Sequence, residues 1–169
     1  MRKPIMKRAA ALLTLTTTAL LATGTAAPAD TLDHVGTATG VDERTAGLVL
    51  EVNEISRDSS GAYATLLWSV RNEGTERITI NPKDTSLDFD RQSFAGVTLR
   101  DEESRTRFHP AMNSESACLC TRDTVGTIDT RLDPGATLTY WSLYSVPADL
   151  ETVTVEVPDF GDVTDVPLT

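Results

Sequence analysis

Four side chains that could do chemistry fall within twelve positions of one another: His109, Met112, Cys118 and Cys120. Soft sulfur ligands combined with an imidazole suit Cu(I), so His-x-x-Met followed by Cys-x-Cys is a candidate copper site. The same thiols have a competing fate. In an oxidising compartment they pair. A Cys118–Cys120 bridge closes so small a loop that it adds little through unfolded-state entropy. Its role would be to shape the surrounding loop. Thiol-redox chemistry is a third reading, but neither the Cys-x-x-Cys spacing nor a following helix is present.

Carboxylates supply a second set. Asp84, Asp88 and Asp90, with Asp101, Glu102 and Glu103, invite calcium, which takes several oxygen ligands. None of them follows an EF-hand loop, and exposed turns of so acidic a chain are expected to carry carboxylates as a solvated face. For nucleophilic catalysis there are only two histidines, His34 and His109, and no Gly-x-Ser-x-Gly elbow. A His109/Cys118 pair would lose its nucleophile to the neighbouring thiol. No pair of carboxylates stands out for glycoside hydrolysis. The expectation is a non-enzyme without a cofactor.

Compartment follows from the first residues. Arg2, Lys3, Lys7 and Arg8 precede an uncharged stretch that ends at Ala27-Pro28-Ala29. That order of charged, apolar and small residues predicts a cleavable secretory signal over 1–29. Thr14, Thr16, Thr17 and Thr18 dilute the stretch below what a membrane span of about 20 apolar residues requires. No cysteine lies near the cleavage point to accept a lipid. The expected location is secreted or extracellular, in solution or at the cell wall, with no membrane span in the mature chain.

The leader holds 4 of the 15 basic residues and none of the 25 acidic ones. The mature chain then carries 11 cations against 25 carboxylates, a formal charge of −14. Such a balance argues against nucleic acid, whose phosphates need a basic surface, and against anionic lipid. The remaining 140 residues suffice for one domain with a real core.

The elements that would position these groups read as strands. Residues 30–46 are polar, lack sustained periodicity and suggest a flexible lead-in. From 47 to 169 period-two alternation dominates. Leu48, Leu50 and Val52 alternate with Glu51 and Asn53. Ala62, Ala64, Leu66, Trp68 and Val70 alternate with Tyr63, Thr65, Ser69 and Arg71, which makes Trp68 a core residue. Short strands are expected over 77–80, at Val97 and Leu99, and at Thr106 and Phe108. Residues 110–123 read as a long loop holding both cysteines. Strands follow over 136–146 and at Val153, Val155 and Val157, with Thr152, Thr154 and Glu156 outward, and 163–168 can pair last. Tyr140 and Tyr144 share a face with Leu138 and are expected in the core, whereas Trp141 on the opposite face is either core or exposed. Seven to eight antiparallel strands separated by turns predict an all-β, immunoglobulin-like β-sandwich, with a small barrel as the competing architecture.

Four blocks also occur in order: Leu67-Trp68-Ser69-Val70-Arg71-Asn72, Ala117-Cys118-Leu119-Cys120, Leu132-Asp133-Pro134-Gly135, and residues 153–167. In these the chain resembles uncharacterised secreted domains of actinobacteria, some of which precede an OmpA-like peptidoglycan-binding module. The resemblance implies an extracytoplasmic immunoglobulin-like sandwich and supplies no catalytic residues. A binding or cell-envelope interaction module is therefore expected, its partner an unknown protein or envelope component. A copper or thiol-redox protein and a secreted protease inhibitor are the alternatives. Loops on rigid sandwiches carry recognition, so Glu102 and Glu103 of the acidic turn, and Asn113 and Leu119 of the cysteine loop, are the candidate contacts.

Overall fold

A computed structural model describes residues 32–80, 93–122 and 128–169. The leader expected over 1–29, and Asp84, Asp88, Asp90 and Asp123, lie outside the described residues. Those described form strands and turns, with no helix among them.

In chain order the strands are β1 (Gly36–Thr39), β2 (Leu48–Arg57), β3 (Tyr63–Asn72), β4 (Ile78–Thr79), β5 (Thr98–Asp101), β6 (Thr106–Phe108), β7 (Arg131–Leu132), β8 (Thr137–Ser145), β9 (Thr152–Glu156) and β10 (Val163–Pro167). Eight of them build two four-stranded antiparallel sheets, β1-β2-β3-β8 and β10-β9-β5-β6, and β4 pairs with β7. The two sheets share one core, as in a β-sandwich. Alternation in the sequence causes this directly: Leu48, Leu50, Val52, Leu66, Trp68 and Val70 come from the inner face of the first sheet, and Leu99, Val153, Val155, Val163 and Val166 from the second. Trp68 is fully buried. Its ring meets Phe94 edge-on at 5.0 Å and Tyr140 at 4.7 Å. Tyr144 ties the layers together, donating its hydroxyl hydrogen bond to the Val97 carbonyl at 3.0 Å.

β2 and β3 turn at Asp58-Ser59-Ser60-Gly61, where Gly61 adopts φ +72°, a conformation only glycine reaches without strain. At the far end of β3, buried Asn72 donates to the Glu76 and Leu132 carbonyls and accepts from the Gly74 N–H. One side chain thereby satisfies a turn that has no sheet partner.

Three expectations are corrected. Residues 30–46 contain β1, which pairs with β2 from Gly36↔Val52 to Thr39↔Val49. Its half-buried positions are Gly36 and Ala38, too small to give a hydrophobic signal. Glu51, Asn53 and Thr154 were expected to face solvent and are buried. Each has acquired partners: Arg71 at 3.0 Å for Glu51, the Ser69 hydroxyl and Asp33 carbonyl for Asn53, and the Glu102 carboxylate for Thr154. Finally, 110–122 is a structured hairpin and not an irregular loop.

Candidate functional site

Backbone geometry builds that hairpin onto the edge of β8. The Ala111 N–H donates to the Leu143 carbonyl at 2.7 Å, the Leu143 N–H to the Leu119 carbonyl at 2.9 Å, and the Leu119 N–H to the Ala111 carbonyl at 2.7 Å. Thr121 continues the pairing, its N–H donating to the Trp141 carbonyl at 2.8 Å and its hydroxyl accepting from the Trp141 N–H at 2.9 Å. The tip is closed by Asn113, whose side-chain oxygen accepts from the Glu115 and Ala117 N–H groups, both at 2.9 Å. This is the local turn chemistry at which Asn excels.

Inside the hairpin Cys118 and Cys120 are joined in a disulfide with Cα atoms 5.3 Å apart, and both pack on buried Ala95. They are 3 % and 2 % exposed. His109 and Met112 are on the surface, and the described residues contain no group of three or more His, Cys, Asp or Glu side chains that could hold a metal. The copper quartet His109, Met112, Cys118 and Cys120 is therefore not assembled: thiolates are what copper would need, and these sulfurs are spent on each other.

The acidic turn lies elsewhere. Asp101, Glu102 and Glu103 line a groove of about 640 Å³ together with Asp149, Glu151 and Asp165, with Thr152 and Thr154 between them. Two of these carboxylates, Asp101 and Glu102, have partners within the fold. The Ser104 hydroxyl and backbone N–H groups hold Asp101 below the usual carboxylate range. Glu102 accepts from Thr154 at 3.0 Å and lies 2.9 Å from Arg100. Of the four residues expected as contacts, Glu102 and Glu103 belong to this groove, Asn113 is spent on its own turn, and Leu119 lies beside β8.

Leu119 leads to a surface that sequence reasoning missed. Inner positions of β3 and β8 are buried, so their alternate positions form an outer face, whose rungs the register fixes as Ser69↔Thr139, Leu67↔Trp141, Thr65↔Leu143 and Tyr63↔Ser145. Thr121 and Leu119 extend it on the hairpin, which meets β8 at Cys120↔Ser142. Four rungs and three strands cover roughly 20 by 10 Å at normal strand spacings. Trp141 and Tyr63 are 43 % and 44 % exposed, among the most exposed large apolar side chains of the fold. None of these positions is charged, although 24 % of the chain is. Charge begins only at the margin, where Glu51 and Glu54 lie opposite Ser69 and Leu67 on β2 and Arg71 follows Ser69 on β3.

Hydroxyls are fixed within the face. Ser69 donates to the Asn53 side-chain oxygen at 2.8 Å and lies 3.0 Å from the Thr139 hydroxyl. The sequence did hold a signal, since 62–70 and 137–146 are both free of charge. It needed the β3–β8 register to become one surface. No family model matches the chain, and no curated protein or solved structure matches it.

Proposed function

We propose that the chain is an exported, non-enzymatic module of immunoglobulin-like sandwich type that binds a component of the cell envelope through the outer face of β3, β8 and the cysteine hairpin. The single observation that carries this is the uncharged rung set around Trp141 and Tyr63 on an otherwise strongly charged chain. Rigid aromatic rings supply contact area at little entropic cost, and serine and threonine supply adaptable hydrogen bonding, the composition of evolved recognition surfaces. Support for export comes from the leader-like residues 1–29, and for the family setting from the resemblance to secreted actinobacterial domains. The disulfide has a structural part in this reading. It is buried under the hairpin that widens the face, consistent with a thiol pair oxidised after export.

The experiment is retention of the purified protein by isolated cell envelopes of the producing organism. Wild-type protein should co-sediment, and the double variant Trp141→Ala/Tyr63→Ala should stay in the supernatant with its fold intact by circular dichroism. Charge removal from the groove, Glu102→Gln/Glu103→Gln, should leave retention unchanged. Equal retention of the aromatic double variant and wild type would remove this face from the account.

A further inference from the structure

We infer that the ligand of this face is an electrically neutral polysaccharide, an extended chain whose sugar rings lie on Trp141 and Tyr63. The inference rests on the reading of the face as the contact surface, and adds the chemical class of what it contacts.

Geometry comes first. A pyranose ring has an apolar C–H face and a rim of hydroxyls, the same division that Trp and Tyr make between an apolar body and a polar tip. Trp141 stands on the rung with Leu67, and Tyr63 four residues further along β3. At about 3.3 Å per residue the two rings belong to positions some 13 Å apart along the strand. A single sugar cannot reach both, whereas a chain can. Between them lie Thr65 and Leu143, an apolar floor with a hydroxyl.

Charge then narrows the class. An anionic polymer or nucleic acid needs cations where it lies, and this face offers none inside its margin, where Arg71 is paired with buried Glu51 and Glu54 stands exposed. A basic peptide needs carboxylates within the face, and they stand only at its border. A wholly apolar partner would bury the hydroxyls of Thr65 and Ser145 without hydrogen bonds, which costs free energy for each. A polyhydroxylated, uncharged chain answers every one of these groups, and Glu54, exposed at the border, can accept from its hydroxyls. The surface is also preorganised, because the hairpin is bonded to β8 through Leu119 and Thr121 and the disulfide stiffens the arm that carries Leu119. Little has to be ordered on binding.

The test uses the full mature protein and two protein-free polysaccharide fractions from the same envelopes, neutral and acidic, separated by anion exchange after exhaustive proteolysis. Calorimetric titration should show saturable binding of the neutral fraction and none of the acidic one. Trp141→Ala should weaken it by roughly tenfold or more, as expected for removal of an aromatic anchor, and Trp141→Phe should restore most of the loss. Failure of the neutral fraction to bind, with envelope retention still dependent on Trp141, would overturn the glycan assignment and leave the contact surface standing with a protein partner. Retention independent of Trp141 would overturn both.

Discussion

Trp68 and Trp141 are neighbours across the register of β3 and β8, yet one is sealed and the other is 43 % exposed. Their truncations should separate accordingly. Trp68→Ala removes the centre of the Phe94–Tyr140 cluster and should cost about 3–5 kcal/mol in denaturant unfolding. Trp141→Ala leaves no cavity and should stay within about 0.5 kcal/mol of wild type. Tyr144→Phe strips the buried Val97 carbonyl of its donor and should cost about 1–2 kcal/mol in the same measurement. Titration has a defined sign as well. The Thr45 hydroxyl and N–H hold Asp42 below its ordinary value, the Ser60 hydroxyl does so for Asp58, and Arg77 for Asp133. At Glu156 burial pushes the other way, but hydrogen bonds from Thr98 and Arg107 and the nearby arginine charges outweigh it. A carboxyl depressed in the folded state contributes stability above its unfolded pKa and loses it as pH falls through the folded one. Burial raises the phenols of Tyr140 and Tyr144, so their contribution is present below the unfolded value and lost as pH rises past it. Melting temperature against pH should therefore form a plateau that declines below about pH 4 and above about pH 10.

At the level of elements, the hairpin 110–122 is held by backbone bonds to β8, and the disulfide constrains its second arm. Replacing both cysteines with serine should cost about 1–2 kcal/mol by the loop-entropy relation. The same change should speed amide exchange at Trp141 and Leu143, whose N–H groups donate to Thr121 and Leu119. Unchanged exchange there would show that backbone pairing alone suffices. β1 depends on close approach: a Cβ on Gly40 would overlap the Thr45 carbonyl, whereas one on Gly161 would meet only ordinary contacts. Gly40→Ala should destabilise by about 1–3 kcal/mol, with Gly161→Ala as the milder control. These two elements also show where sequence reasoning stops. β2, β3, β8 and β9 were legible because large residues alternate with polar ones. β1 was not, because Gly36 and Ala38 occupy its inner positions and pairing is enforced by the neighbouring chain. The hairpin reads as a loop because its partners on β8 lie twenty or more residues away, through main-chain groups that leave no mark on side-chain pattern. Glu51 looked like a solvated position until the register set Arg71 across from its neighbour Val49.

For the molecule as a whole, the division of labour is between a charged exterior and one neutral face. The charge repels polyanions, while binding through the outer face of β3 and β8 should owe little to Coulomb attraction. Envelope retention should accordingly hold as ionic strength rises toward about 1 M, where the Debye length shrinks to about 3 Å. Steep loss with salt would instead point to the acidic groove around Glu102 and Glu103. Two tryptophans in the entire chain make the decisive measurement simple. In a ¹H–¹⁵N spectrum the two indole N–H signals, from buried Trp68 and exposed Trp141, can be followed while the neutral envelope polysaccharide is added. The account predicts that the Trp141 signal shifts or broadens with saturation while the Trp68 signal stays fixed. Saturable binding that leaves the Trp141 signal untouched would contradict it.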